Sequence, residues 1–163
     1  FMNSTDYNNC VSQHSDSLYR FARKSCGDED YAKDIVQQAF EVLWAKKEDV
    51  PIDKAKSFLF TIAYRRSMDK FRKPITDDNF DTYERKEQVH IDYQMDLKNI
   101  LNKALTQLDA NSRMLILLKD VEGYSYEEMA KLTDYSETQI KVYLHRARKK
   151  MKALIGVSPL LKQ

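Results

Sequence analysis

The sequence contains few of the residues that make tight turns or bind metals. Its 163 residues include three glycines, three prolines, two cysteines and three histidines. So few turn residues argue against an all-β fold with many short strands, and no glycine-rich segment is present to hold a phosphate. Cys10 and Cys26 are too few for a zinc site, and the histidines lie far apart in the chain. We therefore expect no metal and no cofactor.

Long hydrophobic runs are also absent. No segment approaches the roughly 18 consecutive apolar residues that a membrane-spanning helix needs, and no apolar segment follows the N-terminus. We therefore expect no membrane insertion and a cytoplasmic location. The hydrophobic residues, 42% of the chain, recur with the period of a helix, which predicts an all-α fold.

The sequence offers no catalytic constellation. An enzyme acting on nucleic acid would need carboxylates around a metal ion or a nucleophile beside a base. The nearest acidic cluster is Asp28, Asp30 and Asp34. Carboxylates at a helix start interact favourably with the helix dipole, which explains this cluster better. We therefore expect that the protein is not an enzyme.

Two helix starts lie close together in the last third of the chain. Ser125 is followed by Glu128, and Ser136 by Gln139. Each pair has the spacing of a capping box, in which the two residues satisfy free N–H groups of the helix start. A short helix, a break at residues 133–135 and a longer basic helix predict a helix-turn-helix. This motif places its second helix in the major groove of DNA.

The second of these helices has one apolar and one basic side. A rotation of about 100° per residue places Ile140, Leu144 and Ala147 on a stripe that should be buried. Between Lys131 and Lys152 there are seven basic residues and two acidic ones, which suits contact with phosphates. A solvated helix surface would carry the same charge. The charge therefore favours DNA binding only in combination with the two capping boxes and the turn. The residues expected to face outward or lie on the flank are Thr138, Lys141, Val142, His145, Arg146, Arg148 and Lys149.

Three helices are predicted for the first half, over residues 7–26, 28–47 and 54–73. Gly27 lies just past the first helix, where glycine favours a helix end. Pro51 disfavours helix at the residue before it, which predicts a loop at residues 48–53. The middle helix has an apolar stripe and a polar side, and Trp44 follows one turn after Phe40. An aromatic residue at that spacing belongs to the core more often than to a contact surface. The polar side consists of Asp34, Gln37, Gln38 and Glu41.

The third helix combines basic and aromatic residues. Between Lys54 and Lys73 there are seven basic residues and one acidic one, and the rings of Phe60 and Tyr64 lie among them. Cations beside rings suit a single strand of nucleic acid, because its backbone attracts cations and its unstacked bases need aromatic surfaces. Aromatics at helical spacing are also typical of a core, and only the second nucleic-acid motif favours strand contact. The residues predicted to be buried here are Phe58, Leu59 and Ile62.

An acidic segment separates the two halves. Residues 74–96 contain seven acidic residues and two basic ones, with weak apolar periodicity, which predicts a flexible linker. The predicted organisation is therefore a first domain at residues 1–73, a linker at 74–96, a second domain of four helices at 97–156, and a tail at 157–163.

This order of domains resembles the extracytoplasmic-function group of bacterial sigma factors. In the second half, residues 122–130 (Glu-Gly-Tyr-Ser-Tyr-Glu-Glu-Met-Ala) and 144–148 (Leu-His-Arg-Ala-Arg) are similar to region four of that group. In the first half, residues 34–44 resemble the part of region two that docks on RNA polymerase. Residues 58–63 (Phe-Leu-Phe-Thr-Ile-Ala), with Asp69 and Arg72 following, resemble its promoter-melting helix.

The resemblance implies a transcription initiation factor that binds core RNA polymerase, directs it to promoter DNA and helps to open the duplex. It also implies an anti-sigma factor as a partner and a free protein that is monomeric. The residues implied to contact the minus-thirty-five duplex are Ser136, Glu137, Thr138, Lys141, Val142, His145, Arg146, Arg148 and Lys149. Those implied for the melted minus-ten element are Lys54, Lys56, Phe60, Tyr64, Arg65, Arg66, Lys70, Arg72 and Lys73. Those implied for polymerase docking are Asp34, Gln37, Gln38, Glu41 and Trp44.

Four positions depart from the family pattern. Val142 and Tyr143 replace residues that are more often polar or small in the recognition helix, so the resemblance does not give the promoter sequence. Phe58 stands where the family usually has tryptophan, and Arg65 where it usually has asparagine. Arg65 is expected either to pair with Asp69 or to reach DNA, and the sequence leaves both open. The alternative function is a dimeric helix-turn-helix regulator that binds an operator without engaging core polymerase. Oligomeric state distinguishes the two, since operator readers are usually two-fold dimers.

Overall fold

The computed structural model describes residues 2–72 and 96–156, and for Arg72 it describes the backbone alone. The described residues form seven α-helices and no strand. The predicted tail, Lys73 and the predicted linker except Asp96 lie outside the described residues. The helices are α1 (Ser4–Cys26), α2 (Glu29–Ala45), α3 (Ala55–Arg72), α4 (Leu97–Gln107), α5 (Ala110–Ile116), α6 (Tyr126–Thr133) and α7 (Glu137–Ile155).

The first domain is a bundle of α1, α2 and α3, which pack against one another. Gly27 ends α1 in the left-handed conformation, with φ of 74°, as the sequence predicts. The side chain of Asp28 then caps α2 by accepting from the N–H of Tyr31 at 3.1 Å. A single 3-10 turn at Ile52–Lys54 follows Pro51 and leads into α3. Residues buried from all three helices form the core, among them Leu18, Phe21, Ile35, Leu43 and Leu59.

The second domain contains α4 to α7, the predicted unit of four helices. The side chains of Asp96 and Asp109 cap α4 and α5, and both are short acceptors suited to this position. After α5 the chain makes a turn of π-helix at Leu117–Val121, which the sequence analysis did not predict. The side chains buried in this domain include Ile100, Met114, Leu118, Met129 and Ile140.

The two domains pack against each other. Helix α3 lies against α5 and α6, and α1 lies against α4 and α5. The buried residues of both domains form one continuous cluster. The helices form the two groups that were predicted, α1 to α3 and α4 to α7, so the prediction of two helical domains is confirmed. The structure adds an interface between the two domains. Within the described residues, no helix is long and apolar enough to cross a membrane.

The apolar surface of α3 is larger than predicted. Leu59 is buried as expected, whereas Phe58 and Ile62 are only half-buried. Phe60, Ala63 and Tyr64 are the more deeply buried residues, with 0–3% of their surface exposed. A helix that is apolar on more than one side is covered on more than one side. Here the first domain covers one side of α3 and the second domain covers another.

Candidate functional site

The helix-turn-helix is formed by α6 and α7, and both of its predicted caps are present. The Ser125 hydroxyl accepts from the N–H of Glu128 at 3.1 Å, and the Glu128 carboxylate accepts from the N–H of Ser125 at 3.0 Å. Ser136 and Gln139 repeat this exchange at 3.1 and 2.9 Å. Both capping boxes are therefore confirmed, and they fix the residues at which the two helices begin.

The turn between α6 and α7 is held in one conformation. Asp134 has φ of 66°, in the left-handed region that aspartate tolerates better than most residues, and its N–H donates to the carbonyl of Ala130 at 3.1 Å. The Tyr135 hydroxyl lies 3.3 Å from Asn111 Oδ1. The Tyr135 ring packs at 5.1 Å on the ring of Tyr143 in α7. These contacts fix how the start of α7 packs against α5 and α6.

Helix α7 presents one side to solvent. Ile140, Leu144 and Ala147 are buried, as the wheel predicts. The residues on the opposite side are exposed, and Lys141, Arg146 and Lys149 form no ion pair with any described residue. They are therefore available to a polyanion. The exposed residues, all predicted to contact DNA, are Ser136, Glu137, Thr138, Lys141, Val142, His145, Arg146, Arg148 and Lys149.

Some cations of α7 contact the second domain itself. Lys150 lies 3.5 Å from Asp109, and Lys141 lies 5.2 Å from the ring of Tyr126. The guanidinium of Arg148 donates to both oxygens of Asp120, at 2.6 and 3.1 Å, and these hydrogen bonds raise the pKa of Arg148 above its ordinary value. Two parallel bonds to a carboxylate define the orientation of an arginine. Arg148 is thus engaged within the domain, whereas Arg146 makes no ion pair with a described residue.

The described cations in and just before α3 fall into two groups. Lys54 of the 3-10 turn and Arg65 and Arg66 of α3 are exposed. Lys56 and Lys70 lie against rings instead. The ammonium of Lys56 is 5.9 Å from the ring of Phe60 and 5.6 Å from that of Tyr124. Lys70 lies 4.7 Å from the ring of Tyr31 and donates to the carbonyl of Cys26 at 3.4 Å. The predicted strand-binding surface is therefore basic, but part of its charge contacts the protein itself.

The rings of this surface are covered in the structure. The Phe60 ring lies between Phe21 of α1, at 5.4 Å, and Tyr124 of the second domain, at 5.5 Å. Tyr64, one turn later on the same side of α3, is 3% exposed. In this arrangement neither ring is accessible to a strand, which agrees with the core alternative for these aromatics. The sequence does not identify Tyr124 as the covering residue of Phe60, because the two lie far apart in the chain.

Charged residues join the two domains around these rings. Arg20 of α1 donates to Glu122 at 3.0 Å, and the side chain of Glu122 is 4% exposed. The guanidinium of Arg65 lies 3.7 Å from the carboxylate of Asp134. Arg65 therefore pairs with the turn of the helix-turn-helix instead of with Asp69, and its contact with DNA stays a prediction. Sequence reasoning did not identify Arg20 and Glu122, whose pairing has no local signal.

Two polar groups lie buried in the interface. Arg113 Nε makes no hydrogen bond with any described residue, whereas the Tyr124 hydroxyl has Ser57 of α3 beside it. Burial, followed by the charges of Glu122 and Glu128, raises the pKa of Tyr124 well above its ordinary value, while the hydrogen bond with Ser57 opposes the shift. Burial likewise lowers the pKa of Arg113, whose guanidinium lies 5.6 Å from the ring of Phe71.

The polar side of α2 forms an open surface. Gln37 donates to Glu41 at 3.1 Å. Trp44 is 45% exposed, with the ring of Tyr7 at 4.9 Å and the ammonium of Lys47 at 3.5 Å from its centre. A half-exposed ring fixed from two sides suits contact with another protein. The exposed residues, all predicted for polymerase docking, are Asp34, Gln37, Gln38, Glu41 and Trp44.

Comparison with known proteins connects these surfaces to a family. The family model described as sigma-70 region 2 matches residues 10–74, and the one described as sigma-70 region 4 matches residues 98–151. The sigma factor SigM of Bacillus subtilis, an extracytoplasmic-function (ECF) sigma factor, is 26% identical over 86% of this chain and 90% of its own length. The RNA polymerase sigma factor SigV of the same organism is 29% identical over 88% of this chain and 87% of its own.

Among solved structures, the sigma factor RpoE of Bartonella quintana, crystallised with the anti-sigma factor NepR, superposes with a TM-score of 0.74. The superposition covers 94% of this chain and 98% of that one, at 27% identity. A superposition of this extent includes both helical domains at once. The likeness therefore extends to how the two domains are placed relative to each other.

Proposed function

Because the chain belongs to the extracytoplasmic-function group of the sigma-70 family and is a transcription initiation factor of RNA polymerase, we propose that three of its surfaces divide the work of initiation. The exposed side of α7 binds duplex DNA, α3 binds the melted strand, and the polar side of α2 docks on core polymerase. Sigma factors are initiation factors and are not known as enzymes. The cytoplasm, where the chromosome and core polymerase are, is the location we propose.

The observation that carries the proposal is the exposed side of α7. Its polar and basic residues lie opposite the stripe that is buried against the rest of the second domain. A helix in the major groove reads base edges with side chains such as Arg146 and Lys141. Lys149, farther along α7, is placed for a phosphate. We assign this surface to the minus-thirty-five element.

Helix α3 is proposed to bind the minus-ten element after it melts. Taking one base out of a duplex costs a few kcal/mol, and stacking on an aromatic ring returns roughly 1–3 kcal/mol per base. The loop at residues 48–53 and the start of α3 form the edge at which a base would enter. Phe60 supplies a ring for this contact only when Tyr124 of the second domain no longer packs on it.

The docking surface on α2 provides a direct test. The charge reversal Glu41→Arg, and Gln37→Arg beside it, should abolish capture of core RNA polymerase in a pull-down at low salt. The matched control is Asp16→Arg, an exposed residue of α1 that forms no ion pair with a described residue, and it should bind like the native chain. Capture of core enzyme by Glu41→Arg at the native level would contradict the assignment of this surface.

A dimeric operator-binding regulator is the less supported function, because the relatives named above are sigma factors over nearly their whole length. We propose that the free chain is a monomer. Light scattering should report the mass of one chain. A stable dimer that binds duplex DNA and fails to capture core polymerase would favour the regulator instead.

An anti-sigma factor is a further partner that we propose. The support is the co-crystal of a similar sigma factor with such a protein. The expected signature is a complex of one chain with one partner that no longer captures core polymerase in the same pull-down. Partner complexes that capture core enzyme as well as the free chain does would contradict this role.

A further inference from the structure

The docking surface on α2 contains the single tryptophan of the chain, Trp44. This residue is 45% exposed and is the bulkiest exposed apolar side chain in the described part of the chain. Tryptophan is among the residues that most often dominate the energy of a protein interface. An exposed side chain that rotates freely must give up that freedom on binding, which costs affinity. The strength of docking therefore depends on how the ring is held beforehand.

Two residues outside the assigned docking set hold this ring. Tyr7 of α1 packs on it edge to face, with ring centres 4.9 Å apart and an angle of 71° between the planes. The ammonium of Lys47 lies 3.5 Å from the ring centre. A cation this close to an indole ring is attracted by the negative potential of its face. The Trp44 ring is therefore held by an aromatic ring and by a charge, although nearly half of the residue is open to solvent.

Tyr7 is itself anchored on α2. Its hydroxyl donates to the carbonyl of Phe40 at 3.0 Å, and its ring packs edge to face on the ring of Phe40 at 6.3 Å. Burial, followed by the charge of Glu41, raises the pKa of Tyr7. The phenol therefore keeps its proton, and its role as a donor, at neutral pH. This hydrogen bond fixes the Tyr7 ring against α2, next to Trp44.

Backbone hydrogen bonds hold Lys47 just after the end of α2. Its N–H donates to the carbonyl of Trp44 at 3.4 Å, and its own carbonyl accepts from the N–H of Met2 at 3.2 Å. Met2 is buried, and its sulfur accepts from the thiol of Cys10 at 3.8 Å. The segment before α1 is thus attached to the end of α2. The backbone of Lys47 is held where its side chain reaches the ring.

We propose that Tyr7 and Lys47 are positioning residues for polymerase docking, which hold Trp44 in its bound orientation before the polymerase is met. This inference rests on the docking role proposed for α2. A ring that is already held loses less conformational freedom on binding, so the preorganised surface binds more tightly. The docking machinery then includes residues of α1 as well as α2. Neither Tyr7 nor Lys47 has to contact polymerase itself.

Four variants test the two positioning residues. Lys47→Ala removes the cation from the ring, and Lys47→Arg, the conservative variant, restores it. The matched control is Lys46→Ala, which removes the same charge from an exposed neighbour that has no ion pair or ring contact with a described residue. Tyr7→Leu removes the aromatic contact on the other part of the ring.

The decay of fluorescence anisotropy measures the motion of the ring in the free chain. Because the chain has one tryptophan, the signal comes from Trp44 alone. We expect the native ring to move little on the subnanosecond scale of free side-chain rotation. Lys47→Ala and Tyr7→Leu should each add a large subnanosecond component. Lys47→Arg and Lys46→Ala should resemble the native chain.

Competition with a labelled native chain measures the affinity for core RNA polymerase of Bacillus subtilis, the organism of two similar sigma factors. Lys47→Ala should bind about two- to fivefold more weakly, the effect of losing an exposed contact between a cation and a ring. Tyr7→Leu should bind about two- to tenfold more weakly, since it loses an aromatic pair. Lys47→Arg and Lys46→Ala should bind like the native chain.

Four results would overturn the inference. They are a native ring that already moves freely, a Lys47→Ala chain with a mobile ring and native affinity, equal losses of affinity for Lys46→Ala and Lys47→Ala, and a Lys47→Ala chain that binds more weakly while its ring stays held. The last result would make Lys47 a direct polymerase contact. If Tyr7→Leu does not fold, the Lys47 variants decide.

Failure of the proposed function is recognised separately. A native chain that holds its Trp44 ring but does not bind core enzyme would contradict the docking role of the whole α2 surface. A native chain that binds core enzyme, with binding abolished in Glu41→Arg but unchanged in Lys47→Ala, would contradict the positioning role alone.

Discussion

Helices α3 and α7 are similarly basic, but they differ in how much of each helix is covered by the rest of the protein. Each is a long basic helix with apolar residues at helical spacing. In α7 the apolar residues lie on one stripe, and the opposite side is left to solvent. In α3 they lie on two sides, and the second domain covers one of them. Basic residues beside aromatic rings therefore indicate a surface for single-stranded nucleic acid only when the rings are exposed.

The largest expected effect tests the difference in burial. Phe60→Ala removes a ring packed between the two domains, and truncating a buried phenylalanine lowers the free energy of unfolding by about 3–5 kcal/mol. Val142→Ala, at a 41% exposed position of α7, should change it by less than about 0.5 kcal/mol. Urea denaturation followed by circular dichroism measures both. Similar values for the two variants would mean that the ring of Phe60 is not buried between Phe21 and Tyr124.

A smaller effect separates two arginines of α7. Arg146→Ala should weaken binding to a cognate minus-thirty-five duplex about 10- to 100-fold, the effect of losing one base-reading side chain. Arg148→Ala should weaken it less than about threefold, because its guanidinium is already held by Asp120. Fluorescence anisotropy on one duplex measures both affinities. An equal loss for the two would show that Arg148 leaves Asp120 to bind DNA.

The smallest effect concerns the exposed pair between the domains. Arg65→Ala removes its contact with Asp134, which is long and solvated, so the free energy of unfolding should fall by no more than about 1 kcal/mol. Asp69→Ala is the matched control for the alternative pairing within α3. A larger loss for Asp69→Ala than for Arg65→Ala would favour that alternative.

Much of the fold could be predicted because its signals are local. The capping boxes at Ser125 and Ser136, the helix end at Gly27 and the buried stripe of α7 each depend on residues within a few turns. The cover over Phe60 depends on Tyr124, 64 positions later in the sequence. No periodicity links them. The presence of Phe60 and Tyr64 beside Leu59 and Ala63 was a signal of a second covered side of α3.

Some features of the candidate site could likewise be predicted from local sequence, and others could not. The outward residues of α7 and α2 could be assigned from a helical wheel, because exposure on an amphipathic helix follows from its period. The partners of Arg65, Arg148 and Arg20 could not, since each pairs with a carboxylate on another element. The π turn that carries Glu122 toward α1 also has no simple sequence pattern.

Hydroxyl-radical footprinting of the free chain tests the central claim most directly. In one experiment it compares the oxidation of Phe60 and Tyr64 on α3 with that of His145 and Tyr143 on α7. The account predicts that His145 is modified rapidly and Tyr143 at an intermediate rate. Phe60 and Tyr64 should stay protected in the native chain. Phe60 should become reactive in Arg20→Glu, which breaks the ion pair between Arg20 of α1 and Glu122 of the second domain. Rapid modification of Phe60 and Tyr64 in the native chain would contradict the covering of α3 by the second domain.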